Sequence, residues 1–371
     1  MSPPSEKPGH WTPKYTLTQK IVAALMEIEA AKVLVANTPL TPAVEAELRH
    51  RARVRSTHYS TRIEGNRLTL AQAEQVVKGE KIHFHGRARD VNEVRNYWNA
   101  LLKVEEWASR KAPFTEELIK RLHALVEKGL RAKPSGYRRE QNVIRDSDTG
   151  RIVYLPPESK DVPKLMSAFV SWVNWAGKAK IPAAIIAGLA HYQFVTIHPY
   201  YDGNGRTARL LATFLLQRAS YGLNGFLSIE EHHARDLDGY YRSLAAHKHH
   251  NYYEGRAEAD LTSWLDYFLV LLAGVFQAAK EEALQLAKEG VPAEPEYLRR
   301  LDRRARTVLS LFTKQDQITN SDVARSLGLS DRMSRVLCQK WVKEGWMLAA
   351  NKSNRSRAYK LSEKYRQYIG G

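Results

Sequence analysis

The sequence predicts a mainly helical protein with one small β-hairpin and a separate basic module at its C-terminal end. Helical apolar spacing recurs almost throughout the first 290 residues, with Thr, Asp and Gly at start and stop positions. A single β-rich stretch, 141–155, interrupts it. The charge is uneven: residues 297–371 hold 17 Lys+Arg against 6 Asp+Glu, so +11 of the chain's formal +17 sits in its last fifth.

In order, "TLTQKIVAALMEIEAAKVLVA" (16–36) reads as an amphipathic helix stopped by "NTPLTP", and a second helix runs from 41 to Gly65. "TLAQAEQVV" is a short helix with Thr69 as N-cap, "DVNEVRNYWNALLKVEEWA" (90–108) a longer one capped by Asp90, and "TEELIKRLHALVEKG" a third capped by Thr115. "QNVIR" and "RIVYL", rich in β-branched and aromatic residues, flank the turn formers "DSDTG" as a hairpin, closed by Pro156 and Pro157. Helices resume with "VPKLMSAFVSWVNWA", then "PAAIIAGLAHYQFVTI", which delivers the chain to His198, then "RTARLLATFLLQRAS" and "DLTSWLDYFLVLLAGVFQAAKEEALQLA". No internal repeat is visible.

A chain of 371 residues, 43% hydrophobic and 26% charged, has room for two or three folded domains, and only its ends read as disordered. No apolar run reaches 18 residues, and "MSPPSEKPGHWTPKY" has neither the basic nor the apolar part of a signal peptide. The expectation is a cytoplasmic protein with no membrane partner. Cys338, the single cysteine, cannot form an internal disulfide and reads as a buried structural thiol.

The stretch "HPYYDGNGRTAR", 198–209, concentrates chemistry. Two glycines around Asn204 suit a turn whose bare N–H groups cradle an anion, and the helix that follows adds its dipole and unpaired amides. Arg206 and Arg209, three apart, lie on one helix face toward the same ligand. Neither a P-loop nor a dinucleotide G-x-G-x-x-G is present, and the segment before the turn reads as helix rather than strand. Alone, Gly-Asn-Gly also fits a tight turn between buried helices with His198 as a core histidine.

The whole string resembles the HPFx[DE]GNGRxxR signature of Fic-domain proteins, with Tyr200 where the family has Phe. "PSGYRREQNVI", the hairpin with "VYLPP", and "LAHYQFVTIHPY" resemble its flanking segments, so the likeness spans about residues 20–275. It implies a Fic-type helical core and transfer of AMP from ATP to a Ser, Thr or Tyr hydroxyl of a target protein, with release of pyrophosphate. By the same resemblance His198 is the general base, Asp202 holds Mg²⁺, the backbone of Gly203, Asn204 and Gly205 holds phosphates, and Arg206 and Arg209 neutralise them. An imidazole suits such a base because its ordinary pKa of about 6.5 lies near neutrality. The hairpin from Asn142 to Leu155 resembles the family's flap, which takes the target as an added strand. Tyr240 and Tyr241 fall where relatives use paired tyrosines near the adenosine, although helical tyrosine pairs also serve as packing.

"STRIEG", 60–65, matches the family's inhibitory pattern [ST]xxxE[GN] in Ser60, Glu64 and Gly65. Ser60 and Glu64 share a helix face, and Gly65 can stop the helix so that the carboxylate sits at its tip. The resemblance pairs Glu64 with Arg209 and implies an autoinhibited state.

In the basic module, "DRRARTVLSLFTKQDQ", "TNSDVARSLGLS" and "DRMSRVLCQKWVKEGW" read as three helices, and "MLAANKSNRSRAYKLS" as two short strands around a basic tip. This is the winged helix-turn-helix pattern, in which Arg332, Arg335, Lys340, Lys352, Arg355 and Arg357 would contact DNA. A protein-docking or dimerisation module fits the same charges, which leaves a homodimer open. The histidine clusters at 83, 232 and 247 lack cysteine or carboxylate ligands at metal spacing and read as surface or packing residues. The organisation predicted is a disordered tail (1–15), a helical region with the inhibitory helix (16–110), the core (111–275), a helix end and linker (276–297) and the winged helix (298–371). A nucleotide-sensing DNA-binding regulator is the alternative from another class; within the enzyme class, another nucleotide donor or AMP removal remains open.

Overall fold

A computed structural model describes residues 11–38, 40, 42–80, 84–145, 149–245, 250–288, 296–313, 315–351 and 357–366. The elements are α1 (Gln19–Asn37), α2 (Pro42–Ile63), α3 (Leu70–Val77), α4 (Ala88–Ser109), α5 (Glu116–Lys128), β1 (Ile144–Arg145), β2 (Ile152–Tyr154), α6 (Val162–Lys178), α7 (Ala183–Ile197), α8 (Asn204–Arg218), α9 (Ile229–Arg235), α10 (Leu237–Leu244) and α11 (Thr262–Lys288). Then come α12 (Glu296–Arg299), α13 (Arg303–Leu309), β3 (Gln317–Thr319), α14 (Asn320–Leu327), α15 (Asp331–Lys343), β4 (Met347–Ala349), β5 (Ala358–Leu361) and α16 (Glu363–Arg366).

α7 and α8 form the centre, buried on nearly every face; α7 is apolar nearly all round, as such a helix must be, whereas α8 also buries Asn204, Arg206, Thr207 and Arg209. α4, α5, α6 and α11 pack around them. α1 lies along α11 and buries Ile21, Ala24, Ile28, Ala31 and Val35, an alternating three–four spacing. α11 is long and apolar enough to cross a membrane by length and composition alone, but Trp264, Leu265, Phe268, Leu269, Leu272 and Phe276 are buried in the core. α2 packs against α4 and α9 with a polar buried face of Ser56, Thr57, Ser60 and Thr61. The Ser56 hydroxyl donates to Glu230 at 2.8 Å, and Tyr97 donates to the other oxygen of that carboxylate at 2.9 Å. Thr69 caps α3 in a capping box and Thr115 caps α5.

A second hydrophobic core runs from Leu298 to Tyr365, with Trp341, Trp346, Met347 and Tyr359 at its centre. It joins α13, α14 and α15 to an antiparallel sheet of order β3-β5-β4. Cys338 is buried there, and burial pushes its thiol up to about 12.

Three expectations are corrected. Residues 11–15 are not a loose tail: Trp11 is buried edge-on against Trp172, and the Leu261 N–H donates to the Lys14 carbonyl. Asp90 does not cap α4, which starts earlier after Arg87; Asp90 is instead buried in its first turn, 3.7 Å from Arg67. The first helix of the C-terminal module does not reach Gln317, because Gln317–Thr319 pairs with β5 as a strand. In the stretch read as a helix end and linker, α11 runs to Lys288 as expected, and 289–295 lie outside the described residues.

Candidate active site

The loop between α7 and α8 is built backbone first. His198 ends α7 in the left-handed region (φ +51, ψ 58), which turns the chain sharply out of the helix. Asn204 closes the loop by pairing both of its amide ends with Tyr200, accepting from its N–H at 3.1 Å and donating to its carbonyl at 2.8 Å. Gly203 has φ +74, and a Cβ there would meet the Glu127 carboxylate at 2.4 Å. Gly205 is needed for a different reason: a Cβ there would lie 2.4 Å from Glu64 Oε1. Both glycines thus let a carboxylate approach the N-terminus of α8, where dipole and free amides favour negative charge.

His198 Nδ1 lies 3.2 Å from the Val195 carbonyl, which can only accept a hydrogen bond, so the proton sits on Nδ1 and Nε2 keeps its lone pair. Burial holds this imidazole at about 4, with the Val195 contact opposing and Arg138 assisting, so it is neutral at pH 7. Asp202 is the exposed carboxylate of the loop. Its Oδ1 accepts from the Gly203 N–H at 2.6 Å, and Arg89 Nη2 lies 3.9 Å from Oδ2. Of the three expected cradle amides, Gly203 is therefore turned to Asp202, while those of Asn204 and Gly205 have no acceptor among the described residues.

Arg206 is buried and pairs with Glu127 at 2.8 Å and Asp202 at 3.4 Å. Arg209 is buried against α2: Nε donates to Ser60 Oγ (2.8 Å), and Nη2 donates to the Ser60 carbonyl (2.9 Å) and Glu64 Oε1 (2.8 Å). Burial would lower its pKa, but the adjoining Glu64 carboxylate carries the net shift upward. Gly65 follows at φ +89, and the helix stops at Ile63, leaving Glu64 at its tip. The expected Glu64–Arg209 pair is thus formed.

Other expected residues divide. Tyr240 is buried with its hydroxyl 2.9 Å from His191 Nε2 and beside the Arg209 guanidinium, whereas Tyr241 is half exposed and its hydroxyl reaches the Ile63 carbonyl at 3.4 Å, next to Glu64. The hairpin pairs Ile144 with Tyr154 and Arg145 with Ile152, and Leu155 beyond it bonds residues 250–252. Its turn residues 146–148 lie outside the described residues, as do His83, 247–249, Lys352 and Arg355. Arg332 and Arg335 are exposed on α15 and Arg357 is half-buried, but Lys340 pairs with Asp302 (3.5 Å) and Glu344 (3.4 Å). His233 is buried 3.1 Å from the Tyr267 hydroxyl, and His250 lies 2.9 Å from the Val153 carbonyl. Tyr200, in place of phenylalanine, stacks on His123 at 3.6 Å between centroids, and its hydroxyl finds no partner among the described residues.

Sequence reasoning missed Glu127, His123 and Arg138. His123 bridges Ser135 Oγ (2.7 Å) and the Asp202 carbonyl (2.9 Å), holding the far end of the loop. "LHALVEK" places His123 and Glu127 one turn apart on α5, a signal legible only once α5 is known to lie beside the loop.

The class is therefore a helical domain that presents a neutral histidine and an anion cradle at one helix N-terminus, with a carboxylate already seated there. The chain carries a Fic/DOC-family domain, whose family model matches residues 113–216. It is 34% identical over 171 residues to the protein adenylyltransferase Fic of Drosophila virilis, covering 44% of this chain and 33% of that protein. The Drosophila melanogaster protein of that name is likewise 34% identical over 171 residues, covering 44% of this chain and 32% of its own length. This chain thus spans about a third of the length of these curated relatives. A Fic family protein from Desulfovibrio desulfuricans G20 has a similar structure over 95% of this chain and 99% of its own, at 25% identity and a TM-score of 0.59. A Fic domain containing signaling protein from Bacteroides thetaiotaomicron shares the fold over 73% of this chain and 98% of its own, at 23% identity and a TM-score of 0.58.

Proposed function

We propose that the protein is an ATP- and Mg²⁺-dependent protein adenylyltransferase, held inactive by Glu64. The observation that carries the reading is the neutral His198, its Nε2 without a hydrogen bond among the described residues, five residues before the first glycine of an anion cradle with two buried arginines. The names of the Drosophila relatives agree with it. The target's Ser, Thr or Tyr oxygen attacks the α-phosphorus, the bond from that phosphorus to the bridging oxygen breaks, pyrophosphate leaves, and the hydroxyl proton passes to His198 Nε2. Arg206 and the Asn204 and Gly205 amides hold phosphate oxygens, and Arg209 takes the γ-phosphate once Glu64 withdraws. Asp202, its side chain 60% exposed, is the kind of single hard carboxylate that suits Mg²⁺ sharing its shell with phosphates and water. Such an ion, when bound, offsets charge on the leaving pyrophosphate. The target's strand adds to the flap, whose Ile152 and Val153 are exposed.

The C-terminal module reads as a winged helix that presents Arg332 and Arg335 to DNA, in a cytoplasmic protein. The exposed arginines also support the regulator reading, in which the domain only senses nucleotide. Intact-mass spectrometry on Glu64→Gly incubated with Mg²⁺ and ATP separates the two. Added AMP that disappears in Glu64→Gly/His198→Ala supports transfer; unmodified protein, alone or with a lysate as target source, with His198→Ala indifferent for DNA binding, supports regulation.

A further inference from the structure

We propose that Arg138 is the positioning residue that holds the catalytic loop and both legs of the flap as one body; this rests on the adenylyltransferase reading. His198 carries a Cβ in the left-handed region, a conformation that persists only where surrounding contacts over-determine it. Arg138 supplies them. Its Nε donates to the His198 carbonyl at 2.9 Å, and its own N–H donates to the Pro199 carbonyl at 2.9 Å. The same guanidinium donates through Nη1 to the Glu140 carbonyl at 3.1 Å and through Nη2 to the Pro157 carbonyl. Glu140 and Pro157 are the incoming and outgoing legs of the flap, so one side chain ties the histidine to both.

The chemistry of the fork explains the choice of residue. Arg138 is 3% exposed and pairs with no carboxylate among the described residues; three carbonyls solvate its charge. A lysine is a point donor and cannot reach three separate carbonyls in one plane. Neighbouring bonds extend the seam: the Tyr201 hydroxyl accepts from the Arg139 N–H (3.2 Å) and the Glu140 N–H (3.0 Å), and Asn142 Nδ2 donates to the Tyr200 carbonyl (3.1 Å). A target strand laid on the flap is thereby registered against His198 Nε2, and an error of about 1 Å in such registration costs on the order of 10²-fold in rate.

The test places Arg138→Lys, Arg138→Gln and Tyr201→Phe in the Glu64→Gly chain. Both Arg138 variants should lose on the order of 10²-fold in kcat for AMP transfer with KM for ATP unchanged, lysine failing to rescue. Tyr201→Phe, which removes only the exposed part of the seam, should show a smaller loss of the same kind. Trypsin should cut after Arg145 or Arg151 in the flap faster in Arg138→Gln, with cleavage elsewhere unaltered. Parental kcat in Arg138→Lys, or a rise in KM with kcat intact, overturns the proposal. If the Glu64→Gly parent transfers nothing, the adenylyltransferase reading fails separately, and flap cleavage alone decides: accelerated supports the clamp, unaltered overturns it.

Discussion

Glu64 offers the sharpest perturbation. Its Oε1 accepts from Arg209 Nη2 at 2.8 Å and lies over Gly205, where the account places phosphate. A hydrogen bond to a charged group is worth about 1.5–3 kcal/mol, and the 28% exposure of the Glu64 side chain sets this pair toward the lower end. Each 1.4 kcal/mol is about tenfold in an equilibrium. Glu64→Gly should therefore raise AMP incorporation at subsaturating ATP by about 10- to 100-fold. Glu64→Gln keeps the shape and a hydrogen bond from the charged guanidinium but loses the carboxylate's charge, and should fall between. The same change must destabilise the chain, because Arg209 stays buried against Ser60 with its carboxylate gone. ATP should restore part of the lost melting temperature by engaging the freed guanidinium. The assay is the initial rate of incorporation across an ATP series, with melting curves alongside. A Glu64→Gly chain with parental rate at every ATP concentration, or with raised melting temperature without nucleotide, would refute this reasoning.

Three further predictions follow from the same geometry. Burial holds His123 at about 4 and His191 at about 3, so between pH 6.5 and these values the unfolded chain binds more protons than the folded one. Stability is then full above about pH 6.5 and falls on acidification, each histidine costing about 2 kcal/mol by pH 5, which melting at pH 7.5 and 5.0 would detect. Tyr200→Phe removes a buried hydroxyl that has no partner among the described residues and should stabilise by about 1 kcal/mol without loss of nucleotide binding; chemical denaturation reads the sign. If α15 meets DNA, Arg332→Ala and Arg335→Ala should weaken binding and flatten its salt dependence, whereas Lys340→Ala, whose ammonium pairs with Asp302 and Glu344, should change it less; fluorescence anisotropy across a salt series distinguishes them.

The helices were legible because their apolar spacing and caps are local: Thr69 and Thr115 act within one turn of themselves. Asp90 misled for the same reason, since a capping residue type says nothing of a helix that continues past it toward Arg87. The β3 strand was hidden in a segment too short for periodicity, and its pairing with β5 is a contact across about forty residues of sequence. In the site, the contiguous string from His198 to Arg209 declared itself, and so did Ser60 and Glu64. What stayed hidden is what sequence distance conceals: Glu127 on Arg206, His123 under Asp202, and Arg138 on the His198 carbonyl. Tyr240 is legible as a residue type but not in its contacts: its buried hydroxyl lies against His191 and beside the Arg209 guanidinium.

The central claim, AMP transfer by His198 under restraint by Glu64, is tested most directly by double labelling. Glu64→Gly, the unaltered chain and Glu64→Gly/His198→Ala are each incubated with Mg²⁺ and ATP labelled at either the α or the γ phosphate, with lysate as a source of targets. The account predicts α label on protein in Glu64→Gly, less in the unaltered chain, none without His198, and no γ label anywhere. Absence of α label from all three, or α label that survives loss of His198, would contradict it.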